Sequence, residues 1–321
     1  MDKFSEMGKA AALQKLYEGC GFKACANPYF ECSTGHSVTS SCLLLEGVDF
    51  DLTFFPFKYL GRKAVLCATG ELFSTMATPK VLKAILGISS KLDFPEVKQI
   101  WEGIAGAAKE YGYQDVALDL VPSLTGLSIS VSATGFSDKS MAAGRPIAQS
   151  MDLICISNNP GAAFLGEMML RKAKDLGEKE RTEKLEKYRQ IVGAYLKPEL
   201  SPFILKAFSD SAIVPSFGYF CKEGLANAIK TLCADSGLGA KLYIDKIPLA
   251  GGSVDASKEL GVDPVQAALK GGDDCFMLYT IPIGSHEKFR HDFQSWDVIG
   301  HMAKPEVGTV LVSPDGLEHN M

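Results

Sequence analysis

Apolar runs of strand length alternate with amphipathic runs of helix length along nearly the whole chain, and this alternation narrows the fold more than any other feature. VLKAILGIS (81–89), DVALDLV (115–121) and GLSISVSATG (126–135) read as strands. The last alternates apolar with small polar residues, the pattern of a strand with one solvated or paired face. Between the first two lies FPEVKQIWEGIAGAAKEYG (94–112), a clear amphipathic helix with Pro95 in its first turn and Gly112 at its C-terminal end. Upstream, residues 7–18 and Phe57–Met76 have helical spacing, and Ser41–Phe55 reads as two extended segments broken at Gly47. Between 19 and 40 the periodicity fades. After residue 150 the alternation resumes with a strand at 151–157 and a helix at 162–173. Strands IVPS, KLYID, CFMLYTIP, WDVIG and TVLVSP then interleave with helices 223–234, 263–270 and 284–292. Residues 174–190 are dense in charges of both signs and read as a solvated helical face. There is no internal repeat and no low-complexity tract, so the class is α/β (α+β).

At roughly 150 residues per domain, 321 residues suggest two domains. The small, polar stretch SDKSMAAGRPIAQS (137–150) is the natural break, giving domains 1–145 and 146–321. The net charge of −5 is spread over both: 14 basic and 15 acidic residues to residue 145, 19 and 23 after it. Neither half is a basic module, which argues against nucleic acid as partner. No apolar run approaches the ~20 residues of a bilayer span, and MDKFSEMGK is too polar for a signal peptide, so no membrane role is expected. Nine scattered cysteines in such a chain read as reduced thiols, and the expected location is cytoplasmic.

The sharpest local string is Lys270-Gly271-Gly272-Asp273-Asp274-Cys275-Phe276-Met277-Leu278-Tyr279-Thr280. Two glycines allow a tight turn or close approach to a ligand, and two carboxylates then enter an apolar strand, where they need a cation or N–H donors. A turn with solvated aspartates is the plain alternative. Five further strings accompany it: Glu46-Gly47-Val48-Asp49-Phe50-Asp51-Leu52, Leu60-Gly61-Arg62-Lys63, Ser123-Leu124-Thr125-Gly126-Leu127-Ser128-Ile129-Ser130, Asp152-Leu153-Ile154-Cys155-Ile156-Ser157 and Gly161-Ala162-Ala163. In this order they resemble the thiamine-monophosphate kinases of the aminoimidazole-ribonucleotide (AIR) synthetase-like superfamily.

The resemblance implies a two-domain AIR synthetase-like fold whose N-terminal sheets pair in a homodimer, with nucleotide in the cleft. It implies transfer of the terminal phosphoryl group of ATP to thiamine monophosphate, with Mg²⁺ held by aspartates; such transfer depends on positioning and charge neutralisation. Carried over position by position, it makes Asp119 and Asp274 the candidate catalytic residues. Gly271, Gly272, Asp273 and Arg145 become candidates for cofactor binding, and Glu71, Asp119 and Glu223 for metal. The chain also departs from the family pattern. No acidic pair precedes residue 41, where the family carries Gly-Asp-Asp. Ser40-Ser41-Cys42 stands for Thr-Thr-Asp, and a thiol is a poor Mg²⁺ ligand. Asp49 stands for His, Gly70-Glu71 for Ser-Asp, and Ala117-Leu118-Asp119-Leu120-Val121 for Gly-Gly-Asp-Thr-Thr. Phe220-Cys221-Lys222-Glu223-Gly224-Leu225 stands for Asp-Ile-Ser-Asp-Gly-Leu, and Phe276 replaces the second Glu of the Gly-Gly-Glu-Asp-Tyr-Glu string.

Glycines and apolar residues of the framework are thus kept while the ligand set is eroded. The leading expectation is a homologue with reduced or lost phosphotransferase activity that still binds a nucleotide or phosphorylated ligand such as a thiamine phosphate. The alternatives are an active kinase using Glu71, Asp119, Asp273, Asp274 and Glu223 around Mg²⁺ and ATP, or a non-catalytic partner of a paralogue. Two minor motifs have bland readings. Gly19-Cys20-Gly21-Phe22-Lys23 resembles the reactive loop of selenophosphate synthetases at a shortened spacing, and Cys20, Cys25, Cys32 and His36 do not have a standard zinc spacing. Trp101 and Met76 are expected in the core.

Overall fold

A computed structural model describes residues 15–18, 28–139 and 144–321. Its first sheet is built from β1 (Tyr29–Cys32), β2 (Gly35–Leu45), β3 (Thr78–Ser89), β4 (Asp115–Ser123) and β5 (Ser128–Asp138), in the order β1-β2-β5-β3-β4. Only β3 and β4 run parallel, as their helical crossover requires. Helices α1 (Phe57–Ser74) and α2 (Phe94–Glu110) cover one face. They touch backbone to backbone: a Cβ added at Gly61 would lie 2.1 Å from the Ile100 carbonyl oxygen, and one at Gly103 2.0 Å from that of Lys58. Asp93 and Glu96 form a capping box at the start of α2, and Pro95 occupies its first turn.

The remaining elements are β6 (Leu153–Ile156), α3 (Ala162–Ala173), α4 (Glu178–Lys187), α5 (Arg189–Leu196), α6 (Ile204–Asp210), β7 (Gly218–Cys221), α7 (Leu225–Ser236), β8 (Gly239–Tyr243), α8 (Ser253–Leu260), α9 (Pro264–Lys270), β9 (Phe276–Ile281), α10 (His286–Asp292), β10 (Asp297–Ala303), β11 (Thr309–Val312) and β12 (Glu318–Asn320). They build a seven-stranded sheet, β12-β11-β8-β10-β6-β9-β7. Strands β6 and β9 are buried at every position, as their continuous apolar sequences demand. Helix α4 has no buried residue, in accord with its charge pattern.

Helix α1 is the layer between the sheets. It packs on β2 and β5 of the first and on β7 and β9 of the second, and thirteen of its eighteen residues are buried. One hydrophobic core therefore runs from Leu44, Ile129 and Val131 through α1 to Met277 and Tyr279; a second lies behind the large sheet, around Ile229, Leu242 and Phe276.

Three sequence expectations need correction. VDFDLTF alternates like a strand but folds as turns. Asp49 accepts the Leu45 N–H at 2.9 Å and Asp51 accepts the Thr53 N–H at 2.8 Å, which draws the backbone out of a ladder. IVPS is not a strand: Pro215 lacks a donor, and pairing begins only at Gly218. β2 starts at Gly35, because Ser40 uses its hydroxyl on the Ala68 carbonyl at 2.7 Å and packs where an apolar residue would be expected. Met76 is buried with φ +58°, just beyond α1 rather than on it, and Trp101 packs partly buried against the core. Cys20, Cys25, Lys23 and most of helix 7–18 lie outside the described residues. Cys32 is exposed, and His36 stacks on Tyr29.

Candidate functional site

A cleft of about 740 Å³ opens between the β2–α1 layer and the β7–α7 turn. Four motif positions converge on it. Glu71 comes from α1, Glu223 from the turn before α7, Arg145 from the connection between the sheets, and Lys222 from the end of β7. Arg145 donates to the Ser74 carbonyl at 2.8 Å, at the C-terminus of α1 where the helix dipole favours a cation. Lys222 reaches the Asp49 carboxylate at 3.1 Å. Burial works against its charge, but Cys67, Cys42 and Asp49 outweigh that and hold the ammonium above its ordinary range.

The other candidates lie elsewhere. Asp119 sits on β4, where its cross-strand partner is Ile85; Ile85 pairs with Ser130 and Ser130 with Leu43. Aligned residues share a face, so Asp119 lies with Leu43 on the side of the sheet away from α1 and does not join Glu71. Asp273 and Asp274 are neighbours with different partners. Asp273, at φ +66°, pairs with the fully buried Lys63 ammonium of α1 at 3.2 Å. Lys63 also lies 4.8 Å from the Tyr195 ring centroid and 5.4 Å from that of Phe55, so aromatic faces share its charge. Burial raises the Asp273 carboxyl despite this lysine. Asp274 accepts the Gly161 and Ala163 N–H groups at 2.6 and 2.7 Å, capping α3. Burial pushes its carboxyl up to about 7, against those N–H groups.

The two glycines of the string serve backbone contact. A Cβ on Gly271 would lie 2.4 Å from the Ala267 carbonyl oxygen, and one on Gly272 3.0 Å from that of Lys222. The motifs do meet in space: Glu46 accepts the Leu127 N–H at 2.7 Å, and the Ser157 hydroxyl accepts the Met277 N–H at 2.9 Å. Among the described residues no group of three or more His, Cys, Asp or Glu side chains is placed to hold a metal ion. Of the carboxylates named above, Glu71 and Glu223 line the cleft, whereas Asp119 lies on the far side of the sheet and Asp273 and Asp274 are taken up by Lys63 and the start of α3.

One departure from the family pattern has a direct steric account. The Phe220 ring lies over Gly70, where an added Cβ would fall 2.1 Å from a ring carbon. A serine at 70 and a phenylalanine at 220 exclude each other. Sequence reasoning quoted Lys63 within a motif string but gave it no role and did not single out Cys67 one turn on; a lysine inside that apolar run was the available signal.

No family model matches the chain. It is 28% identical over 242 residues to the thiamine-monophosphate kinase of Synechococcus elongatus, covering 74% of this chain and 69% of that protein. The thiamine-monophosphate kinase of Aquifex aeolicus is 24% identical over 323 residues, 99% of each. Among solved structures, AaThiL complexed with AMPPCP and TMP superposes with a TM-score of 0.81 at 20% identity, covering 99% of each chain. The hydrogenase maturation protein HypE in complex with ATP gives 0.67 at 16% identity, covering 96% of this chain and 88% of that one. Two sheets bridged by a buried helix, with these likenesses, give a mixed α/β architecture consistent with the AIR synthetase-like fold. Within that class, the chain is similar in sequence and in fold to the thiamine-monophosphate kinases.

Proposed function

We propose that the protein is a thiamine-monophosphate kinase homologue whose phosphotransferase activity is reduced or lost, and whose cleft still takes a nucleotide or a phosphorylated ligand such as a thiamine phosphate. The observation that carries this reading is the Phe220 ring packed on Gly70 beside the cleft, an apolar surface where the family pattern leads one to expect a carboxylate. Arg145 and Lys222 on the same cleft supply positive charge for phosphate oxygens, while Glu71 and Glu223 are its carboxylates. Removing close contacts from a phosphoryl clamp costs several kcal/mol of transition-state stabilisation, and loss of more than one abolishes useful turnover.

Domains 1–145 and 146–321, and pairing of two copies through the first sheet, belong to the same reading. Leu43, Leu45 and Val121 are exposed on the sheet face opposite α1, an apolar surface suited to a second copy. Calorimetric titration with ATP and with thiamine mono- and diphosphate, with and without Mg²⁺, tests the ligand. Binding without turnover is expected. Formation of thiamine diphosphate at the rate of an ordinary kinase refutes loss of activity, and absence of any binding refutes the ligand cleft.

A further inference from the structure

Helix α1 packs on β7 and β9, at one edge of the large sheet. Further in, over β6, β10 and β8, the same side of the sheet is the floor of a second cavity, of about 810 Å³. Strand pairing puts Leu153, Val298, His301 and Tyr243 on that one face. One wall is α10, whose His286 and Arg290 stand one turn apart, and behind it Phe289 and Phe293 pack on Trp296 with centroids 6.2 and 5.9 Å away. None of these residues belongs to the cleft of Glu71 and Glu223. The backbone is irregular here: the β10–β6 ladder slips between Val298 and Gly300, and Met151, also on the cavity, has φ +80°. Three polar groups on the cavity have no hydrogen bond or ion pair among the described residues: the Trp296 indole N–H, the Arg290 guanidinium and the Asp297 carboxylate. Their neighbours are satisfied. Asp245 meets Lys246 at 3.6 Å, and the Tyr243 hydroxyl lies 3.4 Å from His301 Nδ1.

We propose that this cavity is a second ligand site, separate from the cleft, which takes a planar heteroaromatic ring carrying a phosphate monoester. Its volume is that of a site for a whole small molecule. The ring is recognised by flat side chains. Tyr243 and His301 lie with centroids 5.7 Å apart and planes 33° from parallel, and Trp296 adds a third aromatic surface. Stacking one base on such a surface is worth about 1–3 kcal/mol. Burial and Lys241 hold the His301 imidazole below its ordinary range, so it meets the ring uncharged at neutral pH. The ring edge finds an acceptor for its amino or N–H groups in Asp297 and a donor in the Trp296 indole. The phosphate is taken by the free fork of Arg290, whose geometry suits two phosphate oxygens, with His286 beside it on α10. A purely apolar ligand would leave Arg290 and Asp297 unmet. Inorganic phosphate would leave the aromatic floor unused. A ligand with both a ring and a phosphate answers all three unpartnered groups.

The test reads Trp296 fluorescence in the full chain carrying Trp101→Phe, which leaves Trp296 as the only indole. AMP and thiamine monophosphate are the two probes, and the one that quenches names the source of the ring. Saturable quenching by at least one of them is expected. Its unphosphorylated counterpart, adenosine or thiamine, and inorganic phosphate should each bind at least about tenfold more weakly. Arg290→Ala, at an exposed position on α10, should weaken the quenching ligand at least about tenfold. Lys222→Ala in the cleft should leave the titration unchanged. Absence of saturable quenching by both probes overturns the proposal, as does undiminished affinity in Arg290→Ala. So does tighter binding of L-tryptophan, a planar zwitterion without phosphate. Loss of the signal in Lys222→Ala would assign the binding to the cleft and overturn it too. Quenching that persists when calorimetry finds no cleft ligand refutes the cleft reading alone. In the wild type the same titration reads Trp296 over a constant Trp101 signal, so the outcome stands even if a variant fails to fold.

Discussion

At the scale of single residues, the buried Lys63–Asp273 pair and the Asp274 cap make the clearest predictions. Lys63→Ala leaves Asp273 without its cation beneath the Phe55 and Tyr195 rings and should cost about 3 kcal/mol by urea unfolding. Replacing both partners, as Lys63→Met with Asp273→Asn, should recover most of that loss, since Asn tolerates the φ of +66° and no buried charge remains. Asp274 behaves contrary to most carboxylates. The folded chain holds its proton up to about pH 7 against an ordinary 3.8. Its stabilising contribution is therefore full below about pH 4 and is lost as pH rises to about 7. Unfolding midpoints of wild type and Asp274→Asn should diverge over that window in favour of the variant, with no further divergence above it. Equal gaps at pH 4.5 and 7.5 would refute the shift. Sequence could flag the adjacent aspartates as needing partners but could not say that the partners are a lysine over two hundred residues away and the start of α3.

At the scale of elements, α1, β3, α2 and the strands β6, β8, β9, β10 and β11 were legible because their apolar spacing is set by a core on one or both faces, whereas β7 and β12 were not. Nor were β1 and the first half of β2. Ser37, Thr39 and Ser40 carry no apolar alternation, and the strand is held by the ladder to β5 and the Ser40–Ala68 bond, which exist only in the folded chain. The contact of α1 with α2 gives a sharp test. Gly61→Ala drives a methyl to 2.1 Å from a backbone oxygen that cannot rotate away, and should cost about 2–3 kcal/mol, whereas Gly106→Ala on the open side of α2 should be neutral or slightly stabilising. Similar midpoints for the two variants would mean the helices can part freely. Helix α4, with no buried residue, is tied to the body by the Glu259 carboxylate, shared by Lys184, Lys172 and Lys187 with the Tyr188 hydroxyl.

At the scale of the whole molecule, α1 joins the two sheets into one core, a relation that the sequence division at residue 145 does not reveal. The only two tryptophans stand on opposite sides of that division, Trp101 on α2 and Trp296 before β10. Single-tryptophan variants Trp101→Phe and Trp296→Phe should therefore unfold at the same urea midpoint; separated midpoints would show two independent units. The association of copies is tested at Leu43. If the exposed sheet face pairs two chains, Leu43→Glu should turn a dimer into a monomer in sedimentation velocity, and a wild-type monomer would remove that reading.

The packing of Phe220 on Gly70 also bears on the history open to this chain. Adding a serine side chain at 70 while the ring stays meets the clash at 2.1 Å, and putting an aspartate at 220 first buries a carboxylate on an apolar helix face. Either single step back toward the family pattern passes through a damaged intermediate, and only the simultaneous pair avoids it. The two positions are therefore coupled: a side chain at 70 requires the ring at 220 to go, and the exchange is open only as a pair.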